Sequence, residues 1–251
     1  KWVGNPRALT PREPCTLTWR QNDVNIDLMM LNTADTVDRI IITDAPGWRR
    51  AAPSEWQKPP IQQILAEKRS DAAPLTTQYA ALIVPYTAET SPVLSARLVA
   101  NDDATGAMAL EVHFADRTDY ICSTMDLDEH TFGPVTVAGR FALVSLDAAG
   151  CVTQAYLLNG TGIECGQTQI TLPSAGTTLR VASVSDRTLH LAEPLPPAMA
   201  PAGTYLLADG AMPLEEGRPR PRTGFEIEST TADSITVRDY PPVACDEVTI
   251  L

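Results

Sequence analysis

The residues best suited to acid–base or metal chemistry lie around His113, in the stretch LEVHFADRTDY. Alternation along a strand places Glu111 and His113 on the same face. If neighbouring strands bring the groups together, His113 with Asp116, Asp119 or Asp126 could bind a metal ion or transfer protons. The alternative is a half-exposed strand histidine beside a solvated acidic turn. His113 is therefore the candidate catalytic residue, and the sequence predicts no metal ligand set and no cofactor.

The stretch DLDEHTFGP contains a second histidine, His130, after Asp126 and Asp128. A D-x-D pattern is typical of calcium loops, but the loop glycine and the closing glutamate are missing. The sequence also lacks G-x-S-x-G, H-E-x-x-H, P-loop and G-x-G-x-x-G motifs. These absences argue against a nucleophile-elbow hydrolase, a zincin and a nucleotide-binding fold.

A third group of candidates could bind carbohydrate. Trp48 and Trp56 lie in a proline-rich stretch beside Arg49, Arg50 and Lys58. Aromatic faces stack on sugar rings and cationic side chains attract carboxylates, so this stretch could hold an acidic saccharide. The alternative is that one or both tryptophans plug the edge of a β-sandwich beneath the loop.

The elements that must position these residues are predicted to be β-strands. Period-2 alternation recurs along the chain, for example in VNIDLMML (24–31), AMALEVHF (107–114) and FALVSLD (141–147), and short turn sequences separate the strands. The one helical candidate is IQQILAEKRS (61–70). The sequence therefore predicts an all-β, antiparallel β-sandwich followed by a smaller β unit, with the sandwich at 1–138 and the smaller unit at 139–251.

The stretch 141–167 could be a functional motif or only a fold element. Strand alternation followed by DAAG predicts a turn in which Asp147 caps the strand and Gly150 supplies a positive φ, and NGTG predicts a second turn at Gly160. Cys151 and Cys165 would flank this hairpin and could form a disulfide, which would suit an exported protein. The alternative is that all five cysteines are small buried apolar residues.

Charge and hydropathy exclude some partners. The formal net charge of −12 argues against nucleic acid, whose phosphates require a surplus of lysine and arginine. No apolar run approaches 18 residues, so we expect no membrane-spanning helix. The first residues, KWVGNPRALTPREP, lack the apolar core of a signal peptide, so we expect a mature chain or a piece of a longer one.

The order of segments resembles a known family. VNIDLMMLNTADTVDRIIITDAPGWR followed by LAEKRSDAAPLTTQYAALIVPY is similar to the later half of the β-sandwich in heparinase II/III-like polysaccharide lyases. In that family a W-containing loop precedes a phrase F-x-x-V-L-x-P-Y, which Tyr79 to Tyr86 match with tyrosine in the first place. The stretch GRFALVSLDAAGCVTQAYLLNGTGIECG (139–166) resembles the closing β unit of the same proteins.

The resemblance implies a non-catalytic C-terminal β-sandwich region of a lyase, which packs on an N-terminal helical domain of the same parent protein and helps form the carbohydrate cleft. The family carries its catalytic groups mainly on that helical domain, so no catalytic residue is transferred to this chain. An acidic polysaccharide and a periplasmic or extracellular location are implied, although a net charge of −12 does not suit a heparin-binding surface.

Two other functions remain open. One is a stand-alone carbohydrate-binding or adhesive module with Trp48 and Trp56 as its platform. The other is an independent lyase or hydrolase that uses His113 with Tyr120 or nearby acids, with an arginine to neutralise a uronate. For a piece of a larger enzyme, we expect an exposed apolar surface within residues 1–138.

Overall fold

The protein is built from antiparallel β-sheets. A computed structural model describes residues 4–45, 61–71, 75, 77–196, 204–209, 223–238 and 245–250. In these ranges there is no helix, so none could span a membrane, and every strand pairing is antiparallel. The all-β antiparallel class predicted from the sequence is confirmed. The predicted carbohydrate-binding residues Trp48, Arg49, Arg50 and Trp56 lie outside the described residues.

Nineteen strands occupy the described residues. The first ten are β1 (Gly4–Leu9), β2 (Cys15–Gln21), β3 (Val24–Met30), β4 (Arg39–Ala45), β5 (Ile61–Glu67), β6 (Ala81–Tyr86), β7 (Ser95–Asp102), β8 (Ala107–His113), β9 (Arg117–Ser123) and β10 (Glu129–Phe132). The others are β11 (Val135–Asp147), β12 (Val152–Cys165), β13 (Thr168–Thr171), β14 (Thr177–Ser185), β15 (Thr188–Leu191), β16 (Tyr205–Asp209), β17 (Thr223–Thr230), β18 (Ser234–Val237) and β19 (Glu247–Ile250).

Two of the sheets pack face to face around a shared core. A three-stranded sheet has the order β2–β3–β6, and a seven-stranded sheet runs β13–β12–β11–β9–β8–β7 with β10 added beside β11. Side chains of β3 and β6 such as Met29 and Leu82 pack with Ala96 of β7 and with Leu110 and Val112 of β8. Because successive strand residues point to opposite faces, this arrangement buries the inner face of the three-stranded sheet, as in a sandwich. The seven-stranded sheet also buries side chains on its other face, among them Ala109, Cys122, Ala142 and Val144.

The long hairpin of β11 and β12 bends where two glycines face each other. The register shifts between Ala138 and Gly139, and Gly139 lies opposite Gly160. A Cβ atom on Gly160 would lie 2.6 Å from the Ala138 carbonyl oxygen, so a side chain has no room there. The predicted turn at NGTG is therefore wrong: Asn159, with φ of 48°, and Gly160 form an irregularity inside β12.

The other turn of this hairpin is as the sequence predicted. The Asp147 carboxylate accepts hydrogen bonds from the backbone N–H groups of Ala149 (2.9 Å) and Cys151 (2.8 Å), and Gly150 has φ of 80°. These bonds satisfy backbone donors at the tip of the hairpin, which explains the aspartate and the glycine. The turn is therefore architectural.

The C-terminal part of the described chain closes into a barrel of six strands, in the order β14–β15–β18–β17–β16–β19. Its interior is filled by aliphatic side chains and Phe225, with Leu189, Leu206, Ile227 and Ile235 fully buried. Closure removes free sheet edges, and an interior of this width is filled by its own side chains.

A third sheet, β1–β4–β5, contains a correction to the helical candidate at 61–70. Residues 61–67 form β5, which pairs with β4 along its whole length. The Arg39 guanidinium donates to both carboxylate oxygens of Glu67, at 2.9 and 3.0 Å. Pairing beside the buried Ile40 outweighs the helix propensity of the sequence IQQILAE.

The boundary predicted between residues 138 and 139 falls inside β11, which belongs to one sheet at both ends. The change from the seven-stranded sheet to the barrel comes later, between β13 and β14. The division of the chain into two separately folding units stays a prediction.

Candidate functional site

The candidate site is centred on the buried carboxylate of Glu111. Cross-strand pairing places Glu111 of β8 between Arg97 of β7 and Tyr120 of β9. The carboxylate accepts hydrogen bonds from the Arg97 guanidinium, from His113 Nε2 at 2.6 Å and from the Tyr120 hydroxyl. The Glu111 side chain is 8% exposed, whereas those of His113 and Arg97 are 38% and 62% exposed. The acid is thus buried under two basic groups that reach solvent.

Both nitrogens of the His113 ring are occupied. Nε2 donates to Glu111, and Nδ1 lies 3.1 Å from the Thr118 hydroxyl on the neighbouring strand. A general base needs a free lone pair aimed at the proton that it removes. In this arrangement His113 has no such lone pair, so it could act on a substrate only after its bond to Thr118 breaks.

Tyr120 is held as a hydrogen-bond donor. Burial raises the pKa of its phenol, and the nearby Glu111 carboxylate raises that pKa further. A tyrosine that removes a proton from a sugar must be ionised, which a raised pKa opposes. Histidine, tyrosine and arginine, the residue types of a lyase site, therefore meet here. Their polar groups, however, already bond to one another, as in a network that stabilises the fold.

The acids that the sequence offered as partners of His113 bind elsewhere. Asp119 accepts a hydrogen bond from Arg117 Nε at 3.1 Å, and Asp116 lies 3.9 Å from another Arg117 nitrogen. Asp126 interacts with His130 Nε2 at 2.8 Å. The strands bring none of the three to His113, whose acidic partner is Glu111, two residues earlier on its own strand.

The loop before His130 is a hydrogen-bonded turn. One Asp126 carboxylate oxygen accepts bonds from both His130 and the Asp128 backbone N–H, and His130 lowers the pKa of Asp126. The His130 ring stacks on Phe132, with ring centroids 6.0 Å apart. No three histidine, cysteine, aspartate or glutamate side chains converge as a metal site within the described ranges.

Comparisons with known proteins add no relationship at this point. No family model matches the chain, and no curated protein matches it. The function must therefore be argued from the described surfaces themselves.

One apolar surface belongs to the β2–β3–β6 sheet. We call it the outer face; it consists of the side chains that point away from the sandwich core, and strand pairing aligns them in rows across the sheet. Its members are Cys15, Leu17, Trp19, Val24, Ile26, Leu28, Met30, Ala81, Ile83 and Pro85.

The outer face is largely open in the described structure. Ile83 is 72% exposed, Val24 45% and Ile26 39%, and of the ten members Met30 alone is buried. The largest apolar patch on a typical soluble monomer measures about 300–600 Å² and is often functional. The sequence predicted an exposed apolar surface within residues 1–138, and the outer face lies there.

Sequence reasoning missed the other partners of these strands. It placed Glu111 and His113 on one face but did not identify Arg97, which only the register of β7 against β8 brings to Glu111. It also missed Asp27, which is 6% exposed and accepts hydrogen bonds from Thr18 at 2.6 Å and from Tyr86 at 3.3 Å. Alternation gave no signal for either residue, because Asp27 and Arg97 each alternate with the apolar residues of their own strand.

The cysteines form no disulfide. Cys151 immediately precedes strand β12 and Cys165 ends it, so the whole strand separates the two thiols and they cannot form a disulfide. Cys122, Cys165 and Cys245 are buried, and burial raises the pKa of Cys122 to about 12. Cys151 is exposed, so the prediction that all five cysteines are buried is wrong.

Proposed function

We propose that this chain is a non-catalytic β-sandwich region of a heparinase II/III-like polysaccharide lyase. In this proposal the outer face packs on a helical catalytic domain of the same polypeptide, and the sandwich helps form the carbohydrate cleft. The observation that carries the proposal is the outer face, because it gives the sandwich a surface suited to a permanent neighbour. The sequence resemblance at 24–86, which includes β3 and β6 of this face, names the family.

The size of the outer face favours a neighbour in the same polypeptide over a second copy. Two strands of seven residues and one of six, side by side, present roughly 330 Å². A stable complex between separate proteins buries about 800 Å² on each partner, whereas domains of one chain pack through total interfaces of about 600–1,500 Å². Covalent connection supplies a high effective concentration, so a small face is sufficient.

The state of the Glu111 network supports a non-catalytic role. His113 and Tyr120 are both committed to hydrogen bonds inside the network, and Arg97 is paired with Glu111. We therefore expect the purified chain to leave alginate, hyaluronan, heparin and chondroitin intact. Lyase products are unsaturated and absorb in the ultraviolet, so a continuous absorbance assay is decisive. Reproducible turnover that His113→Ala abolishes would overturn the non-catalytic role.

The packing role is tested with matched surface variants. Ile83→Asp places a charge in the middle row of the outer face, on the edge strand β6, and Leu94→Asp places one at a similarly exposed position (68%) outside this face. The helical region of the complete reading frame, produced separately, should bind the wild-type chain and the Leu94→Asp variant. It should not bind Ile83→Asp.

Stability and dye binding complete that test. Both variants should unfold within about 0.5 kcal/mol of the wild type, since both side chains are exposed. An apolar-surface dye should bind the wild type and Leu94→Asp but not Ile83→Asp. A reading frame without a helical region, or equal binding by both variants, would contradict the packing role.

A further inference from the structure

A polar trough lies on strands β10 to β13, at the end of the seven-stranded sheet that is far from β7. Two rows of paired residues form it, and their side chains share one face because cross-strand partners point the same way. One row is Glu129, Ala138, Gly162 and Thr171, and the other is Thr131, Thr136, Glu164 and Gln169. All but Thr131 line a cavity of about 200 Å³.

The floor of the trough is made by the two smallest side chains. Ala138 lies opposite Gly162 in the middle of the first row, with Glu129 on one side and Thr171 on the other. The volume is smaller than the roughly 300–1,000 Å³ of pockets that enclose drug-sized ligands. The trough therefore has room for a single ring of a longer molecule.

The two carboxylates of the trough have no cationic partner among the described residues. Most other strand glutamates in the same ranges do: an arginine pairs with each of Glu67, Glu111, Glu226 and Glu228. Glu247, at the start of β19, is the remaining strand glutamate without an arginine partner in the described part. Glu129 and Glu164 thus face solvent as free acceptors on a chain of net charge −12, which favours a cationic ligand.

Strand spacing sets the distance between the carboxylates. Glu129 and Glu164 are two strands and two residues apart, which separates their Cα atoms by about 12 Å. This separation suits groups on either side of a ring. Three uncharged polar side chains line the trough with the two carboxylates: those of Thr136, Thr171 and Gln169. Hydroxyl and amide groups of this kind exchange hydrogen bonds with sugar hydroxyls.

We propose that this trough binds one unit of a saccharide that carries free amino groups. The ring rests on Ala138 and Gly162, its hydroxyls bond to the threonine and glutamine side chains, and an ammonium group pairs with Glu129 or Glu164. This site shares no residue with the outer face or with the tryptophan-containing stretch, and the proposal does not depend on the lyase relationship. The unpaired carboxylates would repel a uronate.

The experiment is calorimetric titration of the chain with a glucosamine tetramer. The matched ligands are an N-acetylglucosamine tetramer, a galacturonate tetramer and spermidine. We expect saturable binding of the glucosamine tetramer that is at least about fivefold tighter than that of each other ligand, the gain available from one or two exposed ion pairs.

Two kinds of variant locate the site. Gly162→Thr fills the floor of the trough and should abolish binding. The added Cβ atom fits without a clash, because its nearest neighbours would be at 3.7 and 3.8 Å. Gly224→Thr on β17, where a Cβ would have a contact at 3.6 Å, is the control for folding and should bind normally. Glu129→Gln and Glu164→Gln should each weaken binding about three- to fivefold, and the control Glu247→Gln should not.

Each other outcome overturns the proposal. Absence of saturable binding removes the site, and equal binding of the acetylated tetramer removes the role of the ammonium group. Equal binding of spermidine means that the trough is a cation surface and not a sugar site. An equal effect of Glu247→Gln means that attraction is a property of the whole acidic chain.

Discussion

The barrel and the sandwich sheets differ in what they bury. The barrel cluster consists of apolar side chains together with Cys245. In the sheets before the barrel, by contrast, seven polar or charged residues are buried in the described ranges. They are Asp27, Asn32, Thr43, Glu111, Asp119, Thr124 and Ser145.

This difference separates two ways of specifying a fold. A closed barrel needs an interior of the right volume, and aliphatic side chains supply that with little directional preference. A buried polar group must find its partner, so it fixes the position of a neighbouring segment. Asn32 illustrates this: its side chain accepts from the Ala80 N–H at 2.7 Å and donates to the Gln78 carbonyl at 3.0 Å, which joins segments 46 to 48 residues apart.

The largest effect should come from the barrel interior. Ile227 is fully buried, so Ile227→Ala should lower the free energy of unfolding by about 2–5 kcal/mol. The exposed barrel residue Tyr205, at 53%, is the control, and Tyr205→Ala should cost less than about 0.5 kcal/mol. Urea unfolding followed by circular dichroism measures both.

The same variant tests whether the two regions fold separately. All four tryptophans of the chain precede residue 60, so tryptophan fluorescence reports on the first region. If the regions are independent, Ile227→Ala moves the circular-dichroism transition of the barrel and leaves the fluorescence transition unchanged. A parallel shift of both signals would show one cooperative unit and contradict the predicted division.

An intermediate effect should follow from Glu111→Gln, which keeps the shape of the side chain and removes its charge. Arg97 then faces an amide that cannot neutralise it, and His113 loses a carboxylate acceptor, so the free energy of unfolding should fall by about 1–3 kcal/mol. Glu164→Gln, at an exposed position without an ion pair in the described part, should change it by less than about 0.5 kcal/mol. Equal unfolding midpoints for the two variants would mean that desolvation of the Glu111 network cancels its attraction.

The smallest effect should be the pH dependence of Asp126. The hydrogen bond from His130 lowers the pKa of this carboxyl in the folded protein. A lowered folded pKa contributes stability that is present above the unfolded value, about 4, and is lost as the pH falls through the folded pKa. The urea midpoints of the wild type and Asp126→Asn should therefore converge as the pH is lowered from 5 to about 2.5. A constant difference over that range would mean that the carboxylate contributes nothing by its charge.

The sequence predicted which residues form strands better than it predicted which strands pair with each other. Alternation was sufficient for FALVSLD and for the turn at Asp147, because both depend on neighbouring residues alone. The strand at 61–67 was missed because its residues are good helix formers, and its pairing with β4 has no local signal. The irregularity at Gly160 was taken for a turn because its cause is Gly139, which lies 21 residues earlier in sequence.

The same limit applies to the candidate site. Alternation placed Glu111 and His113 together, but the pairing of Arg97 with Glu111 depends on strand register. That register includes a shift between Leu98 and Ala100, which an uninterrupted alternating pattern would not predict. Register follows from turn geometry and packing, so contacts across strands need the folded chain.

Cys151 makes the long hairpin accessible to chemical labelling. Of the five thiols, that of Cys151 is the exposed one, and it lies at the turn between β11 and β12. Burial raises the pKa values of the other four thiols, which lowers the fraction of each that is present as the reactive thiolate. A maleimide fluorophore should therefore attach at Cys151 first, without any engineered cysteine. Energy transfer to that dye from the tryptophans, all of which precede residue 60, would then report when the hairpin separates from the N-terminal part of the chain during unfolding.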